Sequence, residues 1–206
     1  GRAAALLQAD LLDEAQTARL VERASEALGG PLTLLVNNAS IFEHDTIRTA
    51  TRDSWDRHVE SNLRAPFVLI QHFAAQAPLS PVDHEHRPVP QGLVVNILDQ
   101  RVWRPSPEYA SYTVAKMALW ALTQTAAQGL AKEVRVNAIG PGWTLADPGQ
   151  TEEQFLRARA AASPGRGPGP EDICGALGFL LDSPSVSGQM IAVDGLQHLD
   201  WPSRRG

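Results

Sequence analysis

The feature that most constrains the fold is an alternation of short apolar runs with stretches of helical patterning. Ala3–Ala9, Leu32–Val36, Leu93–Leu98, Val134–Ala138 and Met190–Val193 are continuous in apolar residues and too short to be helices. Strands that are apolar on both faces belong inside a parallel sheet covered by helices on either side. The intervening helices announce themselves at their ends. Asp13 stands three residues before Gln16, an aspartate version of the capping box, and Gly29–Gly30–Pro31 stops the helix it opens. Arg52–Ala77 is patterned as a helix that Pro66 should break or kink, and Tyr109–Leu130 as a long one. Pro170, followed by Glu171 and Asp172, begins another. Pro78–Gln91 reads as a surface loop, and Gly140–Pro170 as an irregular lid-like stretch with a short helix at Thr151–Ala161. Strand–helix alternation of this kind predicts a Rossmann-type, doubly wound α/β sheet, with residues 1–206 forming one domain.

Bulk properties narrow the function. Apolar residues make up 43% and charged residues 20% of the 206, as expected of a globular protein. Net charge is −5 with lysines and arginines scattered, which argues against nucleic acid as a partner. No run approaches the roughly 20 apolar residues that span a bilayer, so no membrane partner is expected. One cysteine, Cys174, excludes an internal disulfide framework and suits the cytoplasm; it reads as a small core residue. His84-Glu85-His86 lies on the proline-rich loop without a second ligand cluster, so no metal site is expected.

Tyr112 and Lys116 stand four apart on one face of the long helix. A free phenol titrates near pH 10, about 3 units too high for proton transfer at neutrality, and a neighbouring ammonium lowers that value. Alone, such a pair could equally be a contact on a helix surface. Its surroundings argue otherwise. Asp99 ends the strand Leu93–Leu98, at the carboxyl edge where open α/β sheets bind ligands. Asn37-Asn38-Ala39-Ser40 ends another strand, Asn62 lies within a helix, and Pro141-Gly142 follows Val134–Ala138.

In identity, order and spacing, Asn37-Asn38-Ala39, Asn62, Tyr112-x-x-x-Lys116 and Pro141-Gly142 resemble the short-chain dehydrogenase/reductase family, as does the ending Val193-Asp194-Gly195. The resemblance implies that Tyr112 exchanges a proton with the substrate, while Lys116 lowers the tyrosine pKa and holds the nicotinamide ribose. It implies that Asn62 supports a water-linked proton relay and that Asp10 touches the adenine. Asn37, Ala39, Pro141 and Gly142 would line the cofactor, with Thr144 meeting its amide. NADPH is the implied cofactor, with NADH not excluded, and a homo-oligomer (tetramer or dimer) is the implied assembly.

Two departures from the family pattern carry information. Where most of the family has a serine that donates to the reacting carbonyl, this chain has Asp99. An ionised carboxylate cannot donate and would repel a developing oxyanion. Unless burial keeps it protonated, Asp99 suits a nitrogen heterocycle whose N–H it can accept. Pteridine reductases and bacterial dihydromonapterin reductases are similar in carrying aspartate here and an aromatic residue at the place of Phe42. That resemblance implies that Phe42 stacks on a pterin and that Ser40 bonds ligand or cofactor. Arg101 could pair with Asp99, and Trp103, Tyr109 and Trp143 could wall a pocket; the sequence leaves these open.

The second departure is the missing Thr-Gly-x-x-x-Gly-x-Gly turn that cradles the pyrophosphate. Gly165, Gly167 and Gly169 alternate with prolines, follow no strand, and read as a loop. The chain reads as lacking the first two strands and helices, hence as a piece of a longer gene product that is expected to be inactive alone. The reading is therefore an NADPH-dependent oxidoreductase acting on a pterin or related heterocycle. The alternatives are a family member acting on another carbonyl or alcohol, and a non-catalytic ligand-binding protein on the same scaffold.

Overall fold

A computed structural model describes residues 4–146, 149–162 and 166–199. Asp13 opens α1 (Glu14–Leu28), its carboxylate accepting from the Ala15 and Gln16 amides, and Gly29 closes it at φ 76°. That left-handed conformation is one a side chain resists, which is why a glycine ends this helix. After α1 come β1 (Leu34–Asn37), α2 (Arg52–Val59), a π-helical turn (Glu60–Arg64), α3 (Ala65–Gln76) and β2 (Gly92–Ile97). Then follow α4 (Ala110–Gly129), β3 (Val134–Pro141), α5 (Glu152–Ala162), α6 (Pro170–Asp182) and β4 (Met190–Val193).

The four strands are parallel and lie side by side in chain order. Alternate residues face opposite layers, and both layers are filled. Val94 and Val136 pack with Ile70 and Phe73 of α3 and Ala127 of α4, while Leu93, Val95 and Ile139 pack with Leu180 of α6. Burial on both faces is what made these strands visible as continuous apolar runs. Register brings Asn37 opposite Asn96 at the carboxyl end of the sheet. The Asn37 amide donates to Asn96 at 2.8 Å, and the Asn96 amide to Thr123 at 2.9 Å, stitching β1, β2 and α4 through the core.

Two expectations are corrected. Ala3–Ala9 forms no strand over its described residues, and Leu6 is fully exposed. An apolar run becomes a strand only when it lies beside another; among the described residues β1 pairs with β2, its other edge is left open, and no strand lies beside residues 4–9. The expected break at Pro66 falls earlier and takes another form. Proline lacks an N–H and its ring crowds the preceding turn. The helix answers with a wider turn before it, in which the Ala65 amide reaches back to Glu60 O. Asn62 sits in that turn, and such turns recur where a helix must present a group irregularly. Of the glycine–proline stretch, Pro164 and Gly165 lie outside the described residues; Gly169 lies at the N-cap of α6.

Candidate active site

Tyr112 and Lys116 occupy successive turns of α4 and are 5% and 2% exposed. The Lys116 ammonium donates to Ile97 O at 2.8 Å and stands 5.7 Å from the Tyr112 ring centroid. Burial pushes its pKa down to about 8, against an upward pull from Asp99. Asp99, one residue past Leu98 at the end of the β2 run, accepts three hydrogen bonds. Its Oδ2 takes the Tyr112 phenol at 3.0 Å and Arg101 Nη1 at 3.0 Å, and its Oδ1 takes the Arg101 amide at 2.8 Å. The Asp99–Arg101 pair left open by the sequence is therefore made. Asp99 also serves as N-cap of the short 3-10 turn Gln100–Val102, so its capping and cleft roles coexist.

Phe42 reaches the same centre from the segment after β1. It stacks on Tyr109 (centroids 4.2 Å, planes 7° apart) and meets Tyr112 edge-on at 4.7 Å. The Arg101 guanidinium lies 5.3 Å from the Phe42 centroid and 5.2 Å from that of Tyr109. The segment is held by Asn62, whose Oδ1 accepts from Ser40 Oγ at 3.1 Å and the Ile41 amide at 2.9 Å, and whose Nδ2 donates to Ile41 O at 2.8 Å. The Ser40 hydroxyl and the Asn62 side chain are thus engaged with each other.

Tyr112, Asp99, Phe42 and Tyr109 line a cleft of about 600 Å³, within the range of small-molecule sites. Its other wall holds Pro141, Gly142, Trp143 and Thr144; Trp103 packs instead against His198, 4.9 Å between rings. A second cleft of about 240 Å³ runs along the β1 edge past Leu11, Asn37 and Ala39, and Asn38 borders both. Asn37 Oδ1 is buried there with no hydrogen-bond partner among the described residues. Asp10 is exposed and its carboxylate accepts the Leu12 amide at 2.9 Å. The main cleft gathers polar groups such as Asn38, Asp99, Arg101 and Thr144, while the second is lined mostly by leucine, valine and alanine side chains.

Gly142 shows how tight that wall is. A Cβ there would lie 2.6 Å from Gln197 Oε1 and 2.8 Å from Asp194 Cα, and backbone cannot yield as a flexible side chain can. Gly142→Ala should destabilise the protein by about 1–3 kcal/mol. Thermal denaturation checks this, with about 2–4 °C lost per kcal/mol for a chain of this size; an unshifted midpoint would show that the wall can move.

Cys174 is corrected: it is exposed and lines the main cleft. On α6 the apolar neighbours Ala176, Leu177 and Leu180 take the sheet-facing positions, which turns Cys174 outward. Sequence reasoning also missed Gln197, which accepts the Trp143 amide at 3.3 Å, and a buried trio behind Tyr112. His58 Nε2 accepts the Glu43 amide at 3.1 Å, His58 Nδ1 pairs with Ser111 Oγ at 2.7 Å, and the Ser111 hydroxyl donates to Asp45. Burial pushes the Asp45 carboxyl up, but hydrogen bonds from Ser111 and Ser54 outweigh it and hold the group below the ordinary carboxylate range. Burial lowers the His58 pKa against the pull of Asp45 and Glu43. Contacts spanning 53 and 66 positions leave no local signal to find them by.

Known proteins resemble this chain over most of its length. Residues 1–195 match the family described as enoyl-(acyl carrier protein) reductase. The inactive 2-(S)-hydroxypropyl-CoM dehydrogenase 2 of Xanthobacter autotrophicus is 35% identical over 95% of this chain and 85% of its own length. The 2-dehydro-3-deoxy-D-gluconate 5-dehydrogenase of Dickeya dadantii is 32% identical over 95% of this chain and 76% of its own. Among solved structures, FolM alternative dihydrofolate reductase 1 from Brucella canis, complexed with NADP, superimposes with a TM-score of 0.83. It is 40% identical, with 96% of this chain and 74% of that one covered. With a parallel sheet, a buried Tyr112–Lys116 pair at its carboxyl edge and relatives of this kind, the chain belongs to the short-chain dehydrogenase/reductase family of NAD(P)-dependent oxidoreductases.

Proposed function

We propose that the protein is an NADPH-dependent reductase of a pterin or a related nitrogen heterocycle. The observation that carries this reading is the bond from Tyr112 Oη to Asp99 Oδ2 at 3.0 Å, beside Phe42. A carboxylate next to the proton donor opposes an oxyanion and favours a ring N–H. The solved relatives named FolM alternative dihydrofolate reductase support the same substrate class.

In this reading NADPH, when bound, supplies the hydride. Tyr112 gives its phenolic proton to the ring as hydride arrives, and the Lys116 ammonium stabilises the phenolate left behind. Asp99 orients the ring by accepting its N–H, and Phe42, stacked on Tyr109, supplies an aromatic wall to the cleft. Asn37, Ala39, Ser40 and Thr144 would hold the cofactor with Pro141 and Gly142, Lys116 and Tyr112 would meet its ribose, and Asp10 its adenine. Asn62 would support the proton relay from within the π-helical turn. A homo-oligomer is part of the reading, supported by the exposed apolar Val114 and Met117 on α4.

NADPH oxidation by the full-length gene product, in the presence of a dihydropterin and, separately, a simple ketone, tests the substrate class. Asp99→Ser should lower dihydropterin turnover about 10- to 100-fold, the value of one charge-assisted hydrogen bond, and should improve ketone turnover. Unchanged pterin turnover would remove Asp99 from the reading. Turnover of the ketone alone would select another carbonyl or alcohol substrate, the reading that the sugar-acid dehydrogenase relative favours.

A further inference from the structure

The helix that carries Tyr112 and Lys116 begins without a cap of its own. Its N-cap residue, Tyr109, sits in the left-handed region (φ 59°, ψ 50°) and makes no side-chain cap hydrogen bond. The first amides of a helix have no partner within it and need one elsewhere. Asp45, on the segment that carries Phe42, supplies both: its carbonyl accepts the Ala110 amide at 3.2 Å and its Oδ1 the Ser111 amide at 3.1 Å. Its Oδ2 accepts the Ser111 hydroxyl and, at 3.1 Å, the Ser54 hydroxyl in the first turn of α2. An anion at a helix N-terminus is favoured by the helix dipole as well.

The direction of these bonds is determined. The Glu43 amide can only donate, so His58 Nε2 is the acceptor and the ring's hydrogen is on Nδ1. That hydrogen points to Ser111 Oγ, so the serine's own hydrogen must go onward to Asp45. The chain runs one way, from the Glu43 amide through His58 and Ser111 into a carboxylate that can only accept. Both of its ends lie on the segment Phe42–Asp45, and its middle is the residue before Tyr112.

We propose that Asp45 is a positioning residue for catalysis: as terminal acceptor of this chain it fixes the His58 tautomer and locks the Phe42 segment in register with Tyr112. Its consequence is specific. Asn at position 45 keeps an acceptor for the Ser111 amide and nearly the same volume. Its amide hydrogens, however, face the Ser111 and Ser54 hydroxyls. Of the acceptors around it, Ser111 is then left with His58 Nδ1, which favours moving the histidine hydrogen to Nε2, against the Glu43 amide and away from Ser54. The loop loses its anchor while the helix keeps its cap. The proposal rests on Tyr112 being the proton donor but on no particular substrate.

The test is Asp45→Asn, read by the nitrogen NMR shifts of His58 and by kinetics with whichever of dihydropterin or ketone the protein turns over. The expected result is an Nδ1–H histidine in the natural protein and an Nε2–H histidine in the variant. With it should come a kcat lowered at least 10-fold and an unchanged KM for NADPH. Ser111→Ala removes the link without touching the charge and should lower kcat alike, with no further loss when combined with Asp45→Asn. An Nε2–H tautomer in the natural protein, or an unchanged kcat in both variants, overturns the proposal. If the full-length gene product turns over neither substrate, the substrate reading fails, and the histidine tautomers still decide this one. Should Asp45→Asn fail to fold, the natural protein's tautomer and Ser111→Ala carry the same decision.

Discussion

Tyr112→Phe should lower the rate of hydride transfer by about 10²- to 10⁴-fold, the range that a positioned proton donor contributes. The ring is 5% exposed and packs edge-on against Phe42, and phenylalanine preserves that contact. What the change deletes is the hydroxyl that donates to Asp99 at 3.0 Å. Asp99 keeps its two bonds to Arg101, so its carboxylate does not become an unpaired buried charge. The thermal midpoint should therefore move little while chemistry collapses, a separation that loss of fold cannot imitate. Single-turnover mixing of the NADPH complex with substrate measures the step directly. A hydride-transfer rate within a few-fold of the natural protein would mean that the proton comes from elsewhere, and Asp99 would become the next group to test.

How far this site was legible in advance depends on the range of the interactions involved. Tyr112 and Lys116 are four apart, and helical geometry alone puts them together. Asp99 followed from the rule that ligands meet the carboxyl ends of strands. The four strands were legible because residues such as Val94 and Val95 are buried on opposite faces, which leaves an unbroken apolar run in the chain. The same signal misled at Ala3–Ala9, since pairing depends on an edge that a run cannot announce by itself. Pro66 announced a break, but not that it would take the form of a π-helical turn around Asn62. Asp45, His58 and Ser111 were illegible for a different reason. Each is an ordinary polar residue in its local context, and only the approach of three separate elements joins them in the buried interior. The stacking of Phe42 on Tyr109 was hidden likewise, because Tyr109 adopts a positive φ that its residue type does not advertise.

Lys116→Met should raise the stability of the protein at neutral pH while removing most of its activity. The ammonium is almost wholly buried, and burial lowers its pKa from 10.5 to about 8. At about 1.4 kcal/mol per unit, that corresponds to an unfavourable contribution of about 3 kcal/mol wherever the group is charged in both states. The sign follows from proton counting. Between pH 8 and 10.5 the unfolded chain holds more protons on this lysine than the folded one, so folding becomes more favourable as pH rises through that window. Below pH 8 the full penalty applies. Methionine has similar length and no charge, so the penalty disappears, offset by about 1–3 kcal/mol for leaving Ile97 O without its donor. The variant should thus melt a few degrees higher at pH 7, and its advantage should shrink steadily above pH 8. In the proposed reading turnover should fall by about 10²-fold or more, since the phenolate left at Tyr112 would lack its balancing ammonium. Thermal melts of both proteins from pH 6 to 10, alongside NADPH oxidation, check each part. A lower midpoint at pH 7, or an advantage that does not change with pH, would mean that the ammonium is better solvated in the fold than its burial implies. The expected pattern would instead identify Lys116 as a charge the fold holds at a loss of stability because the chemistry at Tyr112 requires it.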